Sequence, residues 1–190
     1  IPAVANTISK TRTAKELPAD VIIAGAGMGG CAAAIAALRN GLRVVMTEET
    51  DWIGGQLTQQ GLSCPDEHPW IESFGATQLY SDLRTAIREY YVRHYPLTEA
   101  AKTNKNLNPG SGAVSRLCHE PRVALAVLSN MLAPYLASGK LTLLLQHKIE
   151  GADINGDKVK ALKAHSLQTG DKIILTAPYF IDATELGDLL

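Results

Sequence analysis

A glycine-rich turn between a short apolar run and an alanine-rich segment limits the possible folds of this chain more than any other feature. Residues 20–24 read DVIIA, and so short a run of apolar, mostly β-branched residues is typical of a buried parallel strand. The turn follows at once, with Gly25, Gly27 and Gly30 in the spacing G-x-G-x-x-G. Residues 31–40 are rich in alanine and predict a helix. This order predicts the start of a Rossmann unit.

Each glycine of the turn has a physical role if the turn binds a dinucleotide. Gly25 makes the tight turn, Gly27 lets the backbone approach a diphosphate, and Gly30 lets the helix pack against the strand. The helix N-terminus adds free N–H groups and a partial positive charge. The alternative is a plain glycine turn. The residues expected to contact the ligand here are Gly25, Ala26, Gly27, Met28, Gly29 and Gly30.

An acidic pair ends the second expected strand, residues 43–47. Glu48 and Glu49 follow the glycine turn by about 20 residues, the spacing of the acid that accepts hydrogen bonds from an adenosine ribose. A carboxylate there disfavours a 2′-phosphate, which argues against NADP. The alternative is a surface acid at a strand end.

A second glycine pair lies a few residues beyond the acids. Gly54 and Gly55 precede Gln56, and glycines at such a place allow a backbone to approach an anion without interference from side chains. The alternative is an ordinary loop turn.

Taken together, these motifs resemble the FAD-binding fold of the glutathione-reductase-type, or two-dinucleotide-binding, flavoproteins. The end of the chain adds to the resemblance, because residues 181–184 read IDAT after a hydrophobic strand, similar to an Ala-Thr-Gly signature of that superfamily. Glu185 departs from the signature, since glycine is common there. The resemblance covers nearly the whole chain from Asp20 onward and implies FAD as the cofactor.

The same resemblance implies further contacts with FAD. It places the Gly54-Gly55 pair beside the diphosphate and the backbone of residues 148–149 near the adenine. It also implies that the last residues of the signature lie close to the cofactor. The residues concerned are Gly54, Gly55, Gln56, Lys148, Ile149, Ala183 and Thr184.

The remaining pattern completes an α/β fold. We predict a Rossmann-like FAD-binding domain over residues 20–190, with a parallel sheet and a three-stranded antiparallel β-meander over 147–177. Apolar residues at helical spacing predict a helix over 77–94, and Pro121 begins another that runs to about Ala137. Residues 1–19 are polar and without periodicity, so we expect a flexible N-terminal arm.

Residues 56–120 separate the second strand from the rest of the sheet and form an expected insertion on the substrate side. Stretches 51–58, 65–70 and 115–121 resemble a group of FAD-dependent oxidoreductases for which the resemblance implies no particular reaction. The catalytic candidates in the insertion are His68, Arg116 and His119, because histidine moves protons near neutral pH and arginine holds anions. The alternatives are a polar loop and, for His119, a helix cap.

Composition excludes several other classes of function. The net charge of −1 gives no indication of a nucleic-acid partner, and no apolar run is long enough to span a bilayer. Three widely spaced cysteines form neither a disulfide framework nor a zinc pattern, and Asp66-Glu67-His68 has no second cluster with metal-ligand spacing, so we predict no metal. Residues 3–5 read AVA, compatible with a signal-peptidase site, which leaves a cytoplasmic and an exported location both open.

The expected function is that of an FAD-dependent oxidoreductase acting on a small-molecule substrate. Two alternatives remain open at this point: an enzyme that uses NAD or another ADP-ribose compound as its substrate, and a non-catalytic nucleotide-binding module. The resemblance also implies a companion C-terminal segment or chain that completes the flavin site, because in such proteins a substrate region follows the Ala-Thr strand.

Overall fold

The computed structural model describes residues 14–62 and 64–189. The motif at residues 3–5 and most of the expected arm lie outside the described residues. The elements are β1 (Lys15–Pro18), β2 (Val21–Ala24), α1 (Met28–Arg39), β3 (Val44–Glu48), α2 (Gln56–Gln59), α3 (Gln78–His94), α4 (Glu99–Thr103), α5 (Pro121–Ala137), β4 (Leu141–Leu145), β5 (His147–Asn155), β6 (Lys158–Ser166), β7 (Lys172–Thr176) and β8 (Tyr179–Asp182).

A parallel four-stranded sheet with the order β4-β3-β2-β8 forms the middle layer. Its two central strands are buried along their whole length, which explains why their sequences are almost entirely apolar. Successive side chains point to opposite faces, so Val21 and Ile23 enter one core while Ile22 and Ala24 enter another.

Helices α1, α3 and α5 cover one face of this sheet. The buried apolar stripe of α3 consists of Leu83, Ile87 and Tyr91, spaced four residues apart as one side of a helix requires. Leu128 and Leu132 of α5 contribute to the same core. The buried side of α1 consists of Gly30, Cys31, Ala34, Ile35 and Leu38, and the absence of a side chain at Gly30 lets the first turns approach the Gly25 backbone closely.

A mixed sheet with the order β1-β7-β6-β5 covers the other face. Strands β5, β6 and β7 are the expected antiparallel meander, and Leu162 and Leu175 pack from it against the parallel sheet. Gln146 joins the two sheets with φ +54° and donates its N–H to the Thr50 carbonyl at 3.0 Å. This step places the start of β5 beside the carboxyl end of β3.

The expected arm ends earlier than the sequence indicated. Residues 15–18 form β1, which pairs in parallel with β7, so the prediction of a flexible segment to residue 19 was wrong for this part. The backbone of β1 pairs with the free edge of β7, and the polar sequence of β1 gave no indication of this pairing. The irregular segments also contain the short helices α2 and α4, and Pro134 lies within α5 without ending it.

Candidate functional site

A cavity of about 260 Å³ lies at the carboxyl ends of β2 and β3, where β5 begins and the chain leaves β8. Carboxyl ends of parallel strands are the usual ligand-binding edge of such sheets. The lining residues come from five separate parts of the chain. They are Gly25, Gly27, Thr47, Glu48, Glu49, Thr50, Gly55, Gln59, His147, Lys148, Ile149, Ala183, Thr184, Glu185, Leu186 and Asp188.

The glycine turn is closed so tightly that only glycine fits at two of its positions. Gly25 has φ +94°, and a Cβ added there would lie 2.4 Å from the Ala183 carbonyl oxygen. A Cβ on Gly30 would lie 2.0 Å from the Gly25 carbonyl oxygen. Backbone atoms cannot yield to such contacts, so these glycines allow the strand, the turn and the helix to approach one another.

Gly27 and Gly55 lie close together in the cavity wall, and the absence of side chains on both leaves a recess beside them, the cradle. A Cβ added to Gly27 would lie 3.2 Å from the Glu185 Oε1 atom. A Cβ added to Gly55 would lie 3.0 Å from the same oxygen and 3.1 Å from the Gly27 Cα atom. Gly27 is the N-cap of α1, so the first N–H groups of that helix lie next to the cradle. A cradle of this kind suits an anion.

The Glu48 side chain connects the end of β3 to the glycine turn through hydrogen bonds. Its Oε2 accepts a hydrogen bond from the Ala26 N–H at 3.0 Å, and its Oε1 accepts from the N–H and hydroxyl of Thr50 at 3.0 and 2.9 Å. The carboxylate is 9% exposed and lines the cavity. It is therefore fixed in place before a ligand binds.

A carboxylate already lies inside the cradle. The Oε1 atom of Glu185 is the nearest described side-chain atom to the open sides of both Gly27 and Gly55. The sequence departed from the Ala-Thr-Gly signature at this residue, and that departure was the only signal that could have identified it as part of the site. The structure thus places the carboxylate of an exposed residue of this chain beside the glycines that the resemblance assigns to a diphosphate.

The far end of the cavity is formed by the start of β5. Lys148 pairs with Glu49 at 3.3 Å, and both side chains are about half exposed. His147 Nδ1 donates to the Leu145 carbonyl at 2.6 Å. Residues 148 and 149 therefore lie in the cavity that the resemblance assigned to the adenine.

Several expected contact residues do not line the cavity. Ala26 is fully buried, Gly30 serves packing, and Met28 contacts the helical core instead. Gly29, Gly54 and Gln56 also lie outside the lining. The sequence reasoning missed residues whose proximity depends on the tertiary fold: Thr47, Thr50, Gln59, His147, Leu186 and Asp188.

Cys31, in the first turns of α1, has no features of a reactive thiol. Burial, followed by the nearby Glu48 carboxylate, raises the pKa of Cys31 to about 12. Its Sγ–H donates to the Ala26 carbonyl at 3.3 Å, so the thiol contributes to the packing of the turn.

A second cavity, of about 560 Å³, lies in the insertion and brings His68 and Arg116 together. Its other lining residues include Glu67, Glu72 and Asn108. The two residues are 48 positions apart in the sequence, and α3 and the loop before α5 bring them to the same cavity.

A buried ion network supports this cavity. Arg84, from α3, contacts both Glu67 and Glu72, and Arg88 donates to Glu72 at 2.7 Å. The side chains of Arg84 and Glu67 are only 5% and 4% exposed. The Tyr80 hydroxyl also donates to Glu67 at 2.6 Å, so the carboxylates of Glu67 and Glu72 both have charged or hydrogen-bonding partners.

His119 is separated from the cavity of His68 and Arg116. Its Nδ1 donates to the Leu117 carbonyl at 3.1 Å, which leaves Nε2 as an acceptor, and that atom is buried without a partner among the described residues. Burial lowers the pKa of His119, with an opposing effect from the Leu117 carbonyl, so the ring is neutral at pH 7. The residue borders a third cavity, of about 600 Å³, which shares Gly112 and Val114 with the second.

Within residues 14–62 and 64–189, no group of three or more His, Cys, Asp or Glu side chains is arranged to hold a metal ion. In the same described part of the chain, no helix is both long and apolar enough to cross a membrane.

Comparison with solved structures shows the fold. The chain resembles Sdh1 of Mycobacterium smegmatis in complex with UQ1 (TM-score 0.57, 16% identity, 90% of this chain and 34% of that one). It also resembles adenylylsulfate reductase of Archaeoglobus fulgidus (TM-score 0.57, 16% identity, 90% and 31%) and the myxobacterial FAD-dependent halogenase CndH (TM-score 0.54, 13% identity, 88% and 37%). The chain spans about a third of the length of these proteins.

A search among curated proteins found no match. A family model described as FAD dependent oxidoreductase matches residues 20–190, which is nearly the whole chain. The match begins at the strand before the glycine turn and includes the cradle, Glu48 and the insertion. FAD is therefore the cofactor, and the chain belongs to the FAD-dependent oxidoreductase family.

Proposed function

We propose that this chain binds the ADP half of FAD in the cavity of the glycine cradle and oxidises or reduces a small molecule on the side of the insertion. The observation that supports this most directly is the cradle itself, in which two glycines border the cavity next to the N-terminus of α1. FAD, when bound, supplies the electron-transfer chemistry, and the protein supplies binding, orientation and proton transfer.

Three groups of this chain would hold FAD. Glu48, already oriented by Ala26 and Thr50, would accept hydrogen bonds from the adenosine ribose. The backbone at Gly27 and Gly55 would approach the diphosphate. The backbone at residues 148–149, with the Ala183-Thr184 segment opposite, would line the rest of the cofactor site.

The path of the chain supports a substrate site in the insertion. Helix α2 lines the dinucleotide cavity through Gln59, and the residues directly after it, Gly61 and Leu62, line the third cavity. That cavity shares walls with the cavity of His68 and Arg116. The insertion therefore extends from the cofactor cavity toward a polar pocket of ligand size.

We assign the first substrate contacts to His68 and Arg116. His119 has a free acceptor nitrogen, but solvent does not reach Nε2 in this structure. It would accept a proton from a substrate only after the adjoining loop moves.

The layout further supports a place in the glutathione-reductase-type superfamily, because a glycine turn, an acid and a second glycine pair surround one cavity. Since the chain spans about a third of the solved structures it resembles, we propose that additional polypeptide encloses the flavin ring and completes the substrate pocket.

The test is the cofactor content of the purified protein. Gly27→Val should give a folded protein without FAD, because a branched side chain would fill the cradle while the nearest group, the Glu185 side chain, can move. Ala36→Val, on the exposed side of the same helix, is the matched control and should keep the flavin absorption.

Three results would contradict the proposal. A yellow Gly27→Val protein would show that the cradle is not the dinucleotide site. A colourless wild type that retains NAD or ADP-ribose would favour the alternative in which the dinucleotide is a substrate. Wild-type protein with FAD that no electron donor reduces would favour a structural nucleotide-binding module.

A further inference from the structure

The cavity of His68 and Arg116 carries one unbalanced positive charge. Its two acids, Glu67 and Glu72, are matched by Arg84 and Arg88, which contact them directly. Arg116 contributes only its carbonyl to this network, accepting from Arg88 at 3.3 Å. Its guanidinium has no acidic partner among residues 14–62 and 64–189. The cation thus remains available to a ligand.

A second donor belongs to the same cavity. His68 Nδ1 accepts a hydrogen bond from the Trp70 N–H at 3.1 Å, so the neutral ring carries its proton on Nε2. The Asn108 amide is already engaged, since it donates to the Gly112 and Ser115 carbonyls and its oxygen accepts from the Cys118 N–H. Arg116 and the His68 ring therefore offer donor groups to this cavity, and the side-chain amide of Asn106, which also lines it, offers both a donor and an acceptor.

A buried carboxylate connects the two chain segments that carry these donors. The side chains of Glu67 and Arg84 are at least nine-tenths buried, and the Ser115 hydroxyl donates to Glu67 at 3.4 Å directly before Arg116 in the chain. Glu67 precedes His68 in the same way. One buried carboxylate thus fixes the backbone on both sides of the cavity.

We propose that this cavity binds the carboxylate of a small polar substrate, with Arg116 and His68 as the two donors to its oxygens. A planar guanidinium suits two carboxylate oxygens, and its hydrogen bonds are strengthened by charge. The volume of about 560 Å³ accommodates a compact molecule. The inference depends on the proposed function, because it assigns the substrate class of the same oxidoreductase.

The test measures binding, not turnover, on protein whose FAD content is determined separately. The probes are two- to six-carbon mono- and dicarboxylic acids, each compared with the primary amide of the same skeleton. We expect acids to bind at least one order of magnitude more tightly than their amides by isothermal titration calorimetry. Arg116→Gln should weaken binding of the best acid by about tenfold or more, and His68→Gln by less.

Arg93→Gln is the matched control, since Arg93 is an exposed arginine on α3 paired with Glu89. It should bind acids as the wild type does. Acids that bind no better than amides, fail to bind at the highest concentration tested, or bind equally to Arg116→Gln overturn the proposal. Normal FAD content in all these proteins separates that failure from a failure of the proposed function.

Discussion

Glu185 illustrates how a single residue can oppose the ligand that its surroundings favour. The cradle offers glycine backbone and a helix N-terminus to an anion, yet the Oε1 atom of Glu185 lies close to both Gly27 and Gly55. A diphosphate beside this carboxylate would be repelled. At about 4 Å, two like charges interact by roughly 1 kcal/mol in water and about 4 kcal/mol at an effective dielectric constant of 20.

We therefore expect Glu185→Gln to bind FAD and ADP about tenfold more tightly than the wild type, because the side chain keeps its size and loses its charge. Isothermal titration calorimetry on cofactor-free protein gives the affinity directly. Glu99→Gln, on exposed α4, should leave it unchanged. Weaker FAD binding by Glu185→Gln would show instead that the carboxylate contacts the bound cofactor favourably.

Helix α3 makes different contacts with two of its sides. One side of the helix supplies Leu83 and Ile87 to the core, and another supplies Arg84 and Arg88 to the acids of the second cavity. The helix thereby connects the hydrophobic core to the insertion. Its buried arginine is tolerated because Glu67 and Glu72 compensate its charge.

Arg84→Met should destabilise the protein by about 3 kcal/mol, since it leaves Glu67 buried without its cation. The midpoint of urea unfolding measures this. Arg93→Met on the same helix breaks an exposed pair and should cost less than about 1 kcal/mol. Equal losses for both variants would refute a special role for the buried network.

At the scale of the whole molecule, carboxylates at separate places stabilise the fold only while charged. Burial raises the pKa of Glu72, but Arg88 and Arg84 outweigh this effect and the net pKa is lowered. Burial likewise raises the pKa of Asp182, while the Thr184 hydroxyl and N–H and the Leu189 N–H lower it overall. A lowered pKa in the folded state stabilises the protein above the pKa of the unfolded chain.

As pH falls from neutral, the free energy of unfolding should first decline below about pH 6.5, because the unfolded chain protonates His119 and the folded chain keeps it neutral. It should fall further below about pH 4, through the lowered folded-state pKa values of Glu72 and Asp182. Urea titrations at successive pH values measure it. Asp182→Asn should reduce the slope in the acid range, whereas Asp157→Asn, in the exposed turn after β5, should not. An identical slope in both variants would contradict the assignment to Asp182.

The sequence by itself determined the local architecture and the nature of the ligand. The strand before Gly25, the helix after Gly30 and the meander were all predictable, because hydrophobic periodicity and glycine spacing are local signals. Gly30 also has a local requirement, since its Cβ would collide with the Gly25 carbonyl within the same turn. Those signals, with Glu48, predicted a dinucleotide, and the resemblance to the flavoprotein superfamily implied that it is FAD.

Only the tertiary structure decided which distant residues share a cavity. The pairing of β1 with β7 depends on a free sheet edge, which no feature of residues 15–18 reveals. Glu185 reaches Gly27 and Gly55 because β8 lies beside β2, and Arg116 reaches His68 because α3 and two loops fold together. Contacts between residues far apart in sequence depend on how the layers pack, and this packing leaves no local periodic signal in the chain.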